Sequence, residues 1–250
     1  MFRNSVYFLL VIVVFIYFGI LKTNSVQAGI TVPILMYHFI GNNPNPKDKA
    51  RDTLSVSPDK FEAQMDYLAK NGYTPISLDT LYGIFGKQTT APVKPIVLTF
   101  DDGYIDFYTT AYPIFRRFNF HVVSFIPTGL IGGPSYYMNW NQIKEIQDSG
   151  LVTFEAHTVT HANLATLNSA AALKQMQDSK NVLLSHTGYP VNFIAYPYGG
   201  TNSSVQAAAK KAGFVGGLGT WYGKASGPGM NMPRMRITGQ MSLKDFASRL

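Results

Sequence analysis

The chain of 250 residues contains no cysteine. Disulfides, thiolate catalysis and thiolate metal ligation are therefore excluded, and any metal must be held by imidazole and carboxylate. Charge is also scarce, since Asp, Glu, Lys and Arg make up 14% of the residues, and acids are the scarcer sign, 14 against 21 Lys and Arg. The formal charge of +7 favours an anionic neighbourhood, such as a cell-wall polymer or a membrane surface. The basic residues are scattered and form no nucleic-acid recognition motif, so nucleic acid is not expected as a partner. Long apolar runs are missing except at the amino end, and internal repeats and further low-complexity tracts are missing throughout.

That single run sets the expected compartment. Arg3 precedes an uncharged apolar stretch over residues 6–21, and Val26-Gln27-Ala28 then offers residues of the kind a signal peptidase accepts. The expectation is export to the outside or the cell envelope. Residues 1–28 read first as a cleaved signal peptide, because the run is short for a full span, and second as a retained membrane anchor. Residues 29–250 then suffice for one domain, stable without disulfides and expected to be monomeric. What is plentiful is aromatic: 17 Phe and 15 Tyr at low charge suit a large buried core with an aromatic-lined groove, a surface that sugars use.

Past the amino end, short apolar runs alternate with segments of helical period, the pattern of βα units around a parallel sheet or barrel. Strands are predicted over 34–37, 96–100, 122–126, 152–156, 193–196 and 214–218, each apolar enough to be buried on both faces. Between them, Ser57 and Pro58 predict the start of a helix that presents Phe61, Met65 and Leu68 on one face and stops at Asn71-Gly72. Further helices are predicted over 108–117, 141–149, 169–186 and 203–212, and Pro113 predicts a kink or a late start in the first of these. Residues 41–51 and 226–233, rich in Asn, Gly and Pro, read as loops within the domain rather than as linkers.

In a βα architecture the carboxyl ends of the strands share one face. Asp101 and Asp102 end one predicted strand, His157 ends another, and Tyr196 to Gly199 follow a third. Two adjacent carboxylates after an apolar run are costly unless a cation offsets them. Alternation along an extended segment would send the two in opposite directions, so one can ligate a metal while the other acts as general base on its water. Alone, Asp-Asp-Gly reads first as a turn with hydrogen-bonding carboxylates. His157 and His161, separated by Thr158-Val159-Thr160, place two imidazoles on one side of a turn. One carboxylate and two histidines leave positions open for water and substrate, which is the catalytic pattern; zinc is the first expectation, with cobalt, nickel or iron also accommodated.

With these residues in place, the chain resembles polysaccharide deacetylases of the NodB-homology type, carbohydrate esterase family 4. T-F-D-D-G at 99–103, H-T-V-T-H at 157–161 and Y-P-Y-G at 196–199 match three motifs of that family in its order. The resemblance implies a distorted (β/α)-barrel and removal of N-acetyl groups from N-acetylglucosamine units of a polysaccharide. It implies Asp101 as the base, Asp102, His157 and His161 as metal ligands, and the backbone N–H of Tyr198, after Pro197, as an oxyanion donor. Trp140 matches a family Trp near the sugar site, although core packing is an equal reading for an isolated Trp.

Two departures stand out. The Arg that usually orients the base is replaced by Ala195, and the usual late His donor is missing because no histidine follows His186. Deacetylases of poly-β-1,6-N-acetylglucosamine resemble this chain in both respects and supply a His from a motif near the amino end, which Met36-Tyr37-His38 matches. His38 is thereby implied as proton donor. Arg234 and Arg236 can each replace the missing Arg or pair with carboxylates elsewhere, and His121 and His186 read as structural. The alternatives are a glycan-binding module that keeps the fold without the chemistry, and a deacetylase of peptidoglycan or chitin-type glycans.

Overall fold

Runs of branched and aromatic side chains form strands here because both their faces are covered. In the computed structural model, which describes residues 29–45 and 47–250, the elements from the amino end are β1 (Ile34–Tyr37), β2 (Phe39–Ile40), α1 (Lys49–Leu54), β3 (Ser55–Val56), α2 (Pro58–Lys70), β4 (Thr74–Pro75), α3 (Leu78–Phe85) and β5 (Pro95–Asp101). There follow α4 (Tyr112–Arg117), β6 (Val122–Ile126), α5 (Trp140–Gln147), β7 (Val152–Ala156), α6 (Ser169–Thr187), β8 (Phe193–Ala195), α7 (Ser203–Lys211), β9 (Gly216–Leu218), β10 (Met235–Arg236) and α8 (Leu243–Ser248). The segment expected to be a signal peptide or anchor lies outside the described residues. Among those described, no helix is long and apolar enough to cross a membrane.

The strands pair in parallel in the order β10-β1-β5-β6-β7-β8-β9, with β4 on the first residues of β5. The chain entering β10 also reaches the opposite edge, because Met232 bridges to Leu218 of β9 while Met235 pairs with Leu35 of β1. One short extended segment thus bridges the two edges of a curled parallel sheet, which is the distorted barrel that the family resemblance implies. Its carboxyl-end face gathers the ends of β1, β5, β7 and β8.

Phe100 shows how the core supports that face. Its ring lies 5.1 Å from Tyr37, 5.0 Å from Phe107 and 5.7 Å from Phe61, and all four residues are buried. Truncating such a ring to Ala costs about 3–5 kcal/mol, so the end of β5 is held firmly beneath Asp101. The Tyr37 hydroxyl donates to Gln64 Oε1 at 2.8 Å, tying β1 to α2.

Several boundaries differ from the sequence reading for local reasons. The loop expected over 41–51 ends early, because the Asp48 side chain accepts from Arg51 N–H and starts α1. Ser57 does precede α2 but makes no side-chain cap, leaving Pro58 as the starting signal. The helix expected over 108–117 is a π-helix, Phe107–Ala111, followed by α4 with Pro113 in its first turn, where the missing N–H is harmless. The strand expected over 214–218 starts at Gly216, since Phe214 N–H is held by Ala209 at the end of α7. The strand expected to reach Tyr196 stops at Ala195.

Candidate active site

The end of β5 does not continue as extended chain. Asp102 has φ +77° and Gly103 has φ +72°, so the backbone turns sharply after Asp101. A side chain on Gly103 would meet Ile126 and Ile131 at 3.0 Å, which explains the glycine. The expectation that strand alternation separates the two carboxylates is therefore corrected: the turn separates their directions, and both line one cavity of about 610 Å³.

Three residues converge there. Asp102 Oδ1 lies 3.3 Å from His157 Nε2 and 3.1 Å from His161 Nε2. The other ring nitrogens are engaged, His157 Nδ1 with the Ala195 carbonyl at 2.8 Å and His161 Nδ1 with the Tyr198 hydroxyl at 3.1 Å. The Ala195 carbonyl can only accept, so His157 carries its proton on Nδ1 and turns a lone pair toward Asp102. The same tautomer at His161 leaves its Nε2 in the same state. Asp102 Oδ1 is buried and meets no hydrogen bond of good geometry. An orphaned buried carboxylate oxygen beside two imidazole nitrogens, all within 4.8 Å, is a donor set that fits a divalent metal. Asp102, Thr158, His161 and Tyr198 all have positive φ, and such strain concentrates at functional sites.

Asp101 is held differently. Arg234 donates through Nη1 to Oδ1 and through Nη2 to Oδ2, both at 2.8 Å, and two further N–H groups, on Nη1 and Nε, meet Thr99 Oγ1 at 3.1 Å and the Gly219 carbonyl at 2.9 Å. The arginine is fully buried at 0% exposure, so this fork is rigid and desolvated. Burial is the strongest single influence and would raise the Asp101 pKa, but the charge and hydrogen bonds of Arg234, with His157 and His38, together keep the carboxyl below its ordinary value. The arginine absent at Ala195 is therefore replaced by Arg234, in the segment just before β10.

His38 follows β1, with Nε2 3.9 Å from Asp101 Oδ2 and a buried Nδ1 that meets no partner. Burial lowers its pKa, against the opposing pull of Asp101. Tyr198 starts from a left-handed backbone, is 70% exposed, and lines the cavity. Among the described residues its N–H meets no backbone acceptor.

Two expected site residues lie elsewhere. Trp140 does not line the cavity; it begins α5 and stacks on His186 of α6 at 3.9 Å with the rings nearly parallel, a packing contact between helices. Pro197 is buried outside the cavity lining and acts by starting the turn that carries Tyr198. Conversely, Tyr104 and Tyr137, stacked at 5.3 Å, line the cavity, and α1 contributes Ala50, Thr53 and Leu54. No sequence period marks any of these, because they sit in turns or in a helix of six residues.

The polysaccharide deacetylase family profile matches residues 88–217, which hold all three motifs. YxkH of Bacillus subtilis (strain 168), which carries a polysaccharide deacetylase name, is 31% identical over 87% of this chain and 75% of its own length. The poly-β-1,6-N-acetyl-D-glucosamine N-deacetylase of Staphylococcus aureus (strain MRSA252) is 30% identical over 74% of this chain and 68% of its own. The solved structure of the Streptococcus pyogenes deacetylase PplD, in complex with acetate, superposes with a TM-score of 0.82 at 31% identity, over 89% of this chain and 99% of that one.

Proposed function

This chain belongs to the polysaccharide deacetylase family, and on that premise we propose that it is a metal-dependent hydrolase that removes N-acetyl groups from N-acetylglucosamine units of an extracellular or cell-envelope polysaccharide. The observation that carries the mechanism is the pairing of two unlike carboxylates, Asp101 gripped by Arg234 and Asp102 facing two imidazoles.

Asp102, His157 and His161 would hold the metal, zinc in first place. When bound, such an ion supplies a Lewis acid that acidifies a water and polarises the acetyl carbonyl. Asp101 takes the proton from the attacking water, and the guanidinium keeps both its oxygens aimed and the carboxylate ionised beforehand. The Tyr198 N–H donates to the oxyanion that develops on the carbonyl oxygen. His38, in its charged form, donates a proton to the amine nitrogen as the C–N bond breaks, releasing acetate and a free amine. The Tyr198 hydroxyl positions His161.

The reading of a glycan-binding module without chemistry draws on the missing orienting Arg and the missing late His; Arg234 on Asp101 and His38 at 3.9 Å from it argue against that reading. Both poly-β-1,6-N-acetylglucosamine and β-1,4-linked glycans fit the proposed reaction. Incubating the purified protein with β-1,6 and β-1,4 N-acetylglucosamine oligomers and measuring acetate tests the reading. Chelator-sensitive release is expected, and metal-loaded protein that releases acetate from no glycan would overturn it.

A further inference from the structure

Arg234 and Arg236 lie two residues apart on the segment that bridges β9 and β1, and residues so spaced on an extended chain share a face. Arg234 is buried and each of its three guanidinium nitrogens is engaged. Arg236 stands one pleat higher, roughly 7 Å nearer the mouth. It is exposed, it lines the same cavity as Asp101 and Asp102, and among the described residues its side chain forms no ion pair and no hydrogen bond.

The charges of the cavity isolate it further. Among the described residues, the carboxylates lining this space are Asp101 and Asp102. Arg234 already matches the first, and the second belongs with the two imidazoles. Arg236 therefore has no counterion of its own, and a neutral acetamido sugar offers none. A guanidinium pointed into a binding cavity with its donors free is the form that carboxylate and phosphate recognition takes.

We infer that Arg236 is an anion subsite of this cavity, and that the preferred glycan carries a carboxylate or phosphate on or beside the sugar that loses its acetyl group. The inference rests on the deacetylase reading above and narrows its substrate. Tyr104 and Tyr137 supply apolar faces for the sugar rings, and Thr53 and Thr220 supply hydroxyls beside them, so the anion is the one element of the ligand that Arg236 selects.

The test compares matched β-1,4 N-acetylglucosamine oligomers: unmodified, bearing lactyl carboxylates on alternate sugars, bearing those lactyl groups as methyl esters, and bearing a phosphate monoester. The wild type should favour one or both anionic oligomers over the neutral ones about tenfold in kcat/KM, and the carboxylate and phosphate arms identify which anion is read. R236Q should erase that preference and R236K should keep part of it. Equal kcat/KM on all oligomers, or an R236Q variant that loses neutral and anionic activity alike, would overturn the subsite. A second measurement is independent of turnover: inorganic phosphate titrated into metal-free protein should perturb the wild type more strongly than R236Q, and identical titrations count against the subsite. Absence of acetate from every oligomer, with phosphate binding still dependent on Arg236, would overturn the deacetylase reading and leave the anion site standing.

Discussion

Arg234 and Asp101, 133 residues apart in sequence and both buried, meet through two parallel hydrogen bonds of 2.8 Å at the floor of the cavity. A buried carboxylate that lost this partner would be both uncompensated and free to rotate. Removing one member of such a pair costs about 3–5 kcal/mol, and misplacing a catalytic group by about 1 Å costs on the order of a hundredfold in rate. Arg234→Met should therefore unfold at markedly lower temperature and lose about a hundredfold in kcat. Combining it with Asp101→Asn should restore part of the stability and none of the activity. Strictly additive stability losses in this double-mutant cycle, read by denaturant unfolding, would refute the coupling.

Metal content separates the two carboxylates. Wild-type protein should bind one equivalent of zinc by elemental analysis, and Asp101→Asn should retain it while losing turnover. Asp102→Asn and His157→Ala should lose the metal as well, since each removes one of three protein donors that meet around Asp102. Bound metal at wild-type stoichiometry in Asp102→Asn would sink the ligand assignment.

His38 is expected to matter in proportion to how poorly the leaving group departs. An amine must be protonated as the C–N bond breaks, whereas an activated aryl ester leaves as a weak base. His38→Ala should thus lower acetate release from N-acetylglucosamine oligomers about 10²–10⁴-fold, with a much smaller effect on an aryl acetate and with the metal retained. An equal loss on both substrates would argue that His38 positions Asp101, 3.9 Å away, rather than donating a proton.

Asp106 introduces a pH dependence of stability. Its Oδ2 accepts from Ile40 N–H at 3.2 Å while Oδ1 is buried without a partner, and burial raises its pKa to about 6, against the opposing pull of that N–H and of Arg51. The folded state then binds this proton more tightly than the unfolded chain. Its contribution is complete below the unfolded value near 4 and is lost as pH rises through about 6, on the order of 3 kcal/mol from this group alone. Asp106→Asn should flatten the stability profile between pH 4 and 6, measured as denaturant midpoints. A variant with the wild-type slope would show that Asp106 is not its source.

The sequence by itself determined what lies within one run of chain. The strands Ile34–Tyr37, Val122–Ile126 and Val152–Ala156 are legible from continuous apolar runs, and α2 and α6 are legible from their bounding residues. The adjacency of Asp101 and Asp102 and the spacing of His157 and His161 are likewise local properties. Two-residue strands such as β2, β3, β4 and β10 have no period to read, and they form only because a neighbouring edge is already in place. A turn at Asp-Asp-Gly was legible, but the left-handed backbone of Asp102 was not, since the packing around Gly103 that accompanies it is tertiary.

Only the tertiary structure decided the choices between distant partners. Sequence leaves open which arginine faces the base, and the bridging of the sheet edges settles it by burying Arg234 with its guanidinium on Asp101 and leaving Arg236 exposed in the cavity lining. Trp140 was as compatible with a sugar as with a core until α5 and α6 brought it against His186. Covalent spacing and local period carry no record of which segments meet across a barrel, and burial and register supply it.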